Sequence, residues 1–289
     1  MPAPSPTERR QAFRALLERP QIMSYASVWD AVSGRLAQSV GFDIGMLGGS
    51  IASHASIGAP DLIVMTLTEF AEQARRITRA ASLPLLVDAD HGYGNALNVM
   101  RTVEELETAG VAGLTIEDTL LPRRYAGPES EIISPEEFGD KLRAALAARV
   151  DPALVIIGRT GPVARAGLEG TVERVRIATK AGVDAIFVLG ATRLEDVQAV
   201  RAATHLPLML NATPASPQEL ADLGARIVLL GHQSYFAMLK ALHEAYVLLK
   251  AEGPSGLTAD MVASAAVQAI ALDSDGFKRR GSEYLGAEA

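Results

Sequence analysis

The chain has 289 residues, of which 48% are hydrophobic, and its formal net charge at pH 7 is -7. This charge argues against a nucleic-acid partner, since no excess of positive charge is available to neutralise phosphates. There is no cysteine, which excludes disulfides, thiolate metal sites and cysteine nucleophiles. The N-terminal residues lack the basic and apolar regions of a signal peptide, and no apolar stretch approaches the length of a membrane span. We therefore expect a soluble cytoplasmic protein without a membrane partner.

Strand and helix patterns alternate along the chain. The capping box Ser5-Pro6-Thr7-Glu8 predicts a helix that runs to Leu17. The strands predicted after it are residues 22–25, 42–47, 83–87, 112–116, 154–158, 185–189, 206–210 and 226–230. Helices are predicted at residues 27–40, 66–81, 97–109, 134–148, 168–181 and 234–250, and after the caps Thr192 and Ser216, with a long loop holding His54 and Asp61.

This alternation predicts parallel strands joined by right-handed crossovers. An open doubly wound sheet is the alternative, but the chain lacks the G-x-G-x-x-G fingerprint of the dinucleotide folds. We predict a (β/α)8 TIM barrel with an N-terminal helix over residues 1–252, and a C-terminal helical extension over residues 253–289. In the extension, residues 257–272 are predicted as one helix that is apolar on most of its circumference. Such a helix is usually buried, so we expect it to pack on another subunit, with packing on its own barrel as the alternative.

The third predicted strand ends in Asp88-Ala89-Asp90-His91-Gly92-Tyr93-Gly94. Side chains alternate along a strand, so Asp88 and Asp90 are predicted to point to the same side. Two such carboxylates repel each other unless a positive charge lies between them, and a hard cation such as Mg²⁺ is the usual partner. An Asx-type turn at the strand end is the alternative.

Barrel enzymes place their sites at the C-terminal ends of the strands. Polar residues at these predicted ends are Ser50, Asp88 with Asp90, Glu117, Arg159, Asn211 and His232. The three carboxylates are predicted to form an acidic floor for Mg²⁺, with Arg159 facing them across the mouth and holding a substrate carboxylate. Exposed backbone N–H groups at Gly48-Gly49-Ser50 would suit a carboxylate or enolate oxygen.

Each of these residues has a structural alternative. Arg159 could neutralise Asp88 in an ion pair, and Glu117 or Asp118 could cap the following segment. His232 could be an ordinary histidine at a helix N-terminus, and the Gly-Gly-Ser segment could be only a turn. His54, His205 and His243 are predicted to be non-catalytic.

Four motifs together resemble the phosphoenolpyruvate mutase/isocitrate lyase superfamily. They are Leu47-Gly48-Gly49-Ser50, the segment Asp88 to Asn95, Ile116-Glu117-Asp118 and Gly158-Arg159-Thr160. The resemblance covers roughly residues 20–250, and the stretch from Asp88 to Leu121 is most similar to the oxaloacetate decarboxylase branch.

The resemblance implies a Mg²⁺-dependent barrel, with Mn²⁺ as a possible substitute, that acts on a small 2-oxo acid. It implies a homotetramer, a dimer of dimers that exchanges a C-terminal helix. The implied reaction is decarboxylation of oxaloacetate to pyruvate and CO₂ through a metal-stabilised enolate. The positions matched are Asp88 as principal metal ligand, Asp90 and Glu117 as its helpers, Asp88, Arg159 and His232 as catalytic residues, and Ser50, Gly49, Arg159, Asn211 and His232 as substrate-binding residues. The proton donor stays open among His232, Tyr235 and water.

Some residues depart from the superfamily pattern. The loop Pro122 to Glu131 lacks the Lys-Lys-Cys-Gly-His motif of the lyases, so cleavage of isocitrate or methylisocitrate is not expected. Gly161-Pro162 follows Arg159-Thr160 where Asp or Asn and then Ala are common, and Asn211-Ala212-Thr213 is closer to lyases and mutases. The alternatives are another C–C lyase, such as one like 2-methylisocitrate lyase, a phosphonopyruvate-type P–C enzyme, or a barrel that binds a 2-oxo acid without turnover.

Overall fold

The computed structural model describes residues 4–127, 131–161 and 163–286. Within these residues, eight parallel strands follow one another in chain order, each hydrogen-bonded to the next. They are β1 (Tyr25–Ser27), β2 (Ile44–Leu47), β3 (Leu85–Asp88), β4 (Gly113–Glu117), β5 (Val155–Thr160), β6 (Ala185–Val188), β7 (Leu208–Asn211) and β8 (Ala225–Leu229). The backbone N–H of Met23 donates to the carbonyl of Arg226 at 2.8 Å and joins the last strand to the first. The predicted (β/α)8 TIM barrel is confirmed.

Helices connect the strands and surround the barrel. They are α1 (Pro6–Glu18), α2 (Ala31–Val40), α3 (Gly49–Ile57), α4 (Leu67–Ala80), α5 (Ala96–Thr108), α6 (Pro135–Ala148), α7 (Val163–Ala181), α8 (Leu194–Ala203), α9 (Pro217–Asp222), α10 (Gln233–Glu252), α11 (Ala265–Leu272) and α12 (Ser274–Leu285). Among the described residues, no helix combines the length and apolar character needed to cross a membrane.

The barrel interior is apolar at the end where the strands begin. Phe13 of α1 is fully buried there, and a Cβ on Gly113 at the start of β4 would lie 2.7 Å from its ring. The same interior cluster includes Met46, Ile157 and Phe187 from different strands. Met46 and Phe187 also line the cavity at the opposite end, where the polar residues at the ends of the strands lie.

Three local predictions were wrong. The first strand lies at residues 25–27 rather than 22–25, because Asp30 and Ser33 form a capping box that starts α2 four residues later than predicted. The predicted loop after Gly48 begins with α3, in which Ile51 and Ala52 are fully buried. Burial of this apolar face outweighs the turn preference of the glycines that precede it. Arg193, not Thr192, is the residue that caps α8, and it does so without a side-chain hydrogen bond.

The C-terminal extension also differs from the prediction of one helix over residues 257–272. Two 3₁₀ turns, Gly253–Gly256 and Ala259–Met261, precede α11. The helix starts late because the Ser264 side chain caps it, and it ends at Asp273, whose φ of 52° is left-handed. Asp273 also precedes α12, which runs from Ser274 to Leu285.

Helices α10 and α11 pack differently against the barrel. Tyr235 is the only buried residue of α10, whereas α11 contacts α2 of the same chain. The Arg35 side chain donates to the Ala271 carbonyl at 3.0 Å and links the two. Helix α11 thus contacts its own barrel through α2, but none of its residues is buried there, so burial of this helix on another subunit stays a prediction.

Candidate active site

A cavity of about 230 Å³ opens where the strands end. The predicted residues that line it are Ser50, Asp88, Asp90, Arg159, Asn211 and His232. Two other predicted residues contact these lining residues. Gly49 packs against Asp90, and Glu117 forms an ion pair with Arg159. The structure thus brings all eight predicted site residues together.

Asp88 is the last residue of β3 and is 8% exposed. The Thr115 hydroxyl, opposite it in the parallel register of β4, donates to Asp88 Oδ1 at 2.5 Å. The guanidinium of Arg159 donates to Asp88 Oδ2. Both carboxylate oxygens are therefore held in fixed positions by neighbouring strands.

Asp90 does not continue the strand, since its φ is 49° and left-handed. Its backbone N–H donates to Asp88 Oδ1 at 3.3 Å, so the Asx-type turn considered as an alternative is present. The carboxylate nevertheless lines the same cavity as Asp88. Burial, followed by repulsion from Asp88 and Glu117, raises the pKa of Asp90 well above its ordinary value.

Gly49 is required by the position of the Asp90 carboxylate. A Cβ on Gly49 would lie 2.3 Å from Asp90 Oδ2 and 2.6 Å from Oδ1. A Cβ on Gly48 would lie 3.0 Å from Cε1 of His232. The glycine pair therefore lets the start of α3 approach two site residues, whereas the sequence suggested only a turn or a set of exposed N–H groups.

Arg159 lies beside the carboxylates rather than across the mouth from them. It is opposite Glu117 in the β4–β5 register, and its Nε is 2.9 Å from Glu117 Oε2. Its guanidinium also lies 5.2 Å from the centre of the Phe187 ring. The ion pair with Asp88, considered as an alternative from the sequence, is therefore present, and the predicted position across the mouth was wrong.

The charges in this cluster are unequally matched. Burial alone lowers the pKa of Arg159, but Asp88, Glu117 and Asp90 raise it more, so the net shift is upward. Burial raises the pKa of Glu117, and the nearby Arg159 only partly counteracts this. Three carboxylates thus share one guanidinium.

His232 is held by two serines. Its Nδ1 is 2.7 Å from the Ser27 hydroxyl and its Nε2 is 3.0 Å from the Ser50 hydroxyl. Burial, followed by repulsion from His54, lowers the pKa of His232, which favours the neutral ring. His232 does precede α10, but it makes no side-chain cap there, so its ring is available to the site.

Sequence reasoning missed Ser27 and Asp61. Ser27 was assigned to a helix, and the Asp30 capping box is the signal that would have placed it at the end of β1. Asp61 lines the cavity, and burial followed by the charge of Asp88 raises its pKa. Asn211 is where it was predicted, and its Oδ1 is buried with no hydrogen-bond partner among the described residues.

Two further residues have their roles clarified. Asp118 is fully buried and accepts from the Thr160 hydroxyl and the Gly161 N–H, both at 2.6 Å. It therefore fixes the segment after β5, whereas the structural role proposed for it or Glu117 was to cap the segment after β4. Tyr235 does not line the cavity, and its ring packs on Trp29 with centroids 5.1 Å apart.

No group of three or more His, Cys, Asp or Glu side chains in the described ranges is arranged to hold a metal ion as it stands. Arg159 lies between two of the carboxylates instead. The chemistry of the donors nevertheless fits a divalent cation, because Asp88, Asp90 and Glu117 offer hard oxygen ligands. Three carboxylates lie close to one guanidinium, so a divalent cation would balance the remaining negative charge.

Comparison with known proteins gives relatives over nearly the whole chain. The chain is 47% identical over 281 residues to a protein of Bradyrhizobium diazoefficiens named oxaloacetate decarboxylase, covering 96% of this chain and 97% of that one. A protein of the same name from Rhodopseudomonas palustris is also 47% identical, covering 97% of this chain and 98% of the other.

Solved structures with the same fold act on related molecules. An oxaloacetate acetylhydrolase in complex with 3,3-difluorooxalacetate superposes with a TM-score of 0.87 at 28% identity, covering 99% of this chain and 100% of that one. A phosphonopyruvate hydrolase in complex with oxalate and Mg²⁺ gives a TM-score of 0.84 at 26% identity, covering 96% and 99%. The family model for phosphoenolpyruvate phosphomutase matches residues 13–250. The chain therefore belongs to the phosphoenolpyruvate phosphomutase family, as the motifs at its strand ends predicted.

Proposed function

We propose that this protein is a metal-dependent decarboxylase that converts oxaloacetate to pyruvate and CO₂ in the cytoplasm. The observation that carries the proposal is the buried cluster of Asp88, Asp90 and Glu117 around Arg159, at the cavity formed by the strand ends. It occurs in a chain that is 47% identical to a relative named oxaloacetate decarboxylase.

Asp88, Asp90 and Glu117 would hold the cation, which we propose to be Mg²⁺, with Mn²⁺ as a substitute. A bound divalent cation supplies Lewis-acid stabilisation of negative charge that develops on a keto oxygen. Asp88 would be the principal ligand, because it lines the cavity and Thr115 holds one of its carboxylate oxygens. The choice of Mg²⁺ is supported by the donor chemistry and by the Mg²⁺ complex of the phosphonopyruvate hydrolase neighbour.

The chain's own residues position the substrate. A cavity of about 230 Å³ suits a four-carbon dicarboxylate. The Ser50 hydroxyl and the Asn211 side chain line it and offer hydrogen bonds to carboxylate or keto oxygens. The ion pairs of Arg159 keep its charge at the site of reaction, where it stabilises developing negative charge.

In the reaction, the bond between C3 and C4 of oxaloacetate breaks and C4 leaves as CO₂. The electron pair stays on the three-carbon fragment, which takes a proton at C3 to become pyruvate. Of the protein groups considered as proton donors, His232 lines the cavity and Tyr235 does not. Ser27 and Ser50 form hydrogen bonds with the two ring nitrogens of His232. The ring therefore has a fixed orientation for proton transfer.

A second candidate function is hydrolysis of the C2–C3 bond, because the oxaloacetate acetylhydrolase structure superposes with a TM-score of 0.87. By atom balance, that reaction yields oxalate and acetate from oxaloacetate and water. Purified protein should therefore be incubated with oxaloacetate and Mg²⁺, with a protein-free Mg²⁺ control for the background reaction. Pyruvate in excess of the control supports decarboxylation, whereas oxalate without excess pyruvate would favour the hydrolase.

We also propose a homotetramer, a dimer of dimers that exchanges a C-terminal helix. Helix α10 suits such an exchange, because only Tyr235 is buried on it while Phe236, Leu242 and Tyr246 are exposed, and so does the predicted extension helix α11, on which no residue is buried. An apolar cavity of about 660 Å³ beside α2 and the start of α10 has the character of a groove for such a helix. Light scattering of the full chain at micromolar concentration should give four times the chain mass, and a monomer would contradict the proposal.

A further inference from the structure

A third cavity, of about 630 Å³, lies outside the barrel. Helices α2, α3 and α4 contribute its walls, together with Trp29 just after β1. No residue lines both this cavity and the active-site cavity. We refer to it as the arginine cavity, because Arg35, Arg76 and Arg79 line it.

The three arginines converge because two helices approach closely. Arg35 is on α2, and Arg76 and Arg79 are one turn apart on the same side of α4. Gly34 allows this approach because it has no side chain. A Cβ at this position would lie only 3.3 Å from the Cβ of Ala81. Strand β2 and helix α3 lie between Arg35 and the other two arginines in the sequence, so only the fold brings the three to one cavity.

The positive charge of the arginine cavity is not balanced by carboxylates. None of the three arginines forms an ion pair with another residue that the structure describes. The one carboxylate in the lining, Asp30, already accepts from the Ser33 N–H at 2.7 Å. In a chain of net charge -7, this local excess of positive charge is an uncommon feature.

A buried polar atom is a second, independent observation. Gln73 lines the cavity and is 7% exposed. Its Nε2 donates to the Trp29 carbonyl at 2.7 Å, but its Oε1 is buried without a hydrogen-bond partner among the described residues. Buried acceptors are normally paired, so this oxygen is an unused hydrogen-bond acceptor of a residue in the cavity wall.

We infer that the arginine cavity binds a small organic anion with two or more negative charges. The guanidinium groups suit the oxygens of a carboxylate or phosphate group, which they can contact in pairs. A phosphate ester and a polycarboxylate share this chemistry, and the experiment below separates them.

Trp29 provides the signal for a test, because it lines the cavity and is the chain's single tryptophan. Full-length protein without metal should be titrated with 3-phosphoglycerate and, separately, with citrate, and followed by Trp29 fluorescence and by calorimetry. We expect saturable binding of at least one of them at one site per chain, while glycerol gives no change. Binding of only one identifies the ligand as a phosphate ester or a polycarboxylate.

The Arg76→Gln/Arg79→Gln variant should weaken this binding by about tenfold or more, because two charge-assisted contacts are lost. Both side chains are exposed, so the variant should fold. The matched control is Arg19→Gln/Arg176→Gln, which removes two exposed arginines outside the cavity and should leave the dissociation constant unchanged. The inference is wrong if neither anion saturates, if the first variant binds like the parent, or if the control loses as much affinity.

Discussion

Replacing Gly49 by alanine tests the close packing at the centre of the site. The new Cβ would lie 2.3 Å from Asp90 Oδ2, 2.6 Å from Oδ1 and 2.8 Å from Cγ, whereas ordinary contact starts at 3.4 Å. Asp90 would have to retreat by about 1 Å from a fully packed position. A displacement of that size at a catalytic group typically costs about 100-fold in rate.

We therefore expect Gly49→Ala to lower kcat/KM for oxaloacetate by about 100-fold and to weaken Mg²⁺ binding. Overpacking should also lower the free energy of unfolding by about 1–3 kcal/mol. Steady-state assays of pyruvate formation, a Mg²⁺ titration and urea unfolding measure these three effects. Gly281→Ala is the control, because a Cβ there meets nothing within 4 Å on α12.

The Asp90→Ala variant serves as a second background, which tests whether contact with the Asp90 carboxylate causes these effects. In Asp90→Ala the carboxylate that the new Cβ meets is absent, so adding Gly49→Ala should cost little further stability. The two substitutions should therefore be strongly non-additive, as expected for residues in contact. Equal costs of Gly49→Ala with and without the Asp90 carboxylate would refute the packing argument, as would full activity of Gly49→Ala.

The remaining predictions concern charge. Arg159→Lys keeps the positive charge but loses the planar group that contacts both Asp88 and Glu117. The KM for oxaloacetate should therefore rise. Unchanged kcat and KM would restrict Arg159 to a structural role. In metal-free protein, the raised pKa of Asp90 means that the folded state holds this proton more tightly than the unfolded state. The contribution of Asp90 to stability is then present below its ordinary pKa and is lost as pH rises through the raised folded pKa. Asp90→Asn should accordingly gain stability relative to the parent as pH increases, which thermal unfolding in EDTA across a pH series measures; a constant difference would mean that Asp90 does not titrate there.

The barrel and the identity of most site residues could be predicted because both depend on local sequence. Apolar runs identify the strands, and most of them lead to a polar residue, such as Asp88 or His232, at the edge where barrel sites lie. The capping boxes at Ser5, Thr66 and Ser216 are all present in the structure. Their hydrogen bonds join residues only three apart, so the sequence alone is enough to locate them.

The arrangement of the site residues depends on tertiary geometry. That Arg159 lies beside Glu117 follows from the β4–β5 register, which no local pattern specifies. The left-handed φ of Asp90 removes it from the alternation of the strand, so its direction could not be inferred from a period of two. Gly49 looked like a turn residue because the carboxylate that requires a glycine there comes from another loop.

The most direct test of the central proposal compares the parent with Asp88→Ala in a Mg²⁺ titration of pyruvate formation from oxaloacetate. Asp88 ends β3 with both oxygens fixed by Thr115 and Arg159, so its removal should take away the principal metal ligand while circular dichroism stays unchanged. The parent should form pyruvate above the protein-free background in a saturable, Mg²⁺-dependent way, and Asp88→Ala should not exceed that background at any Mg²⁺ concentration. Full Mg²⁺-dependent activity in Asp88→Ala would contradict the proposed site.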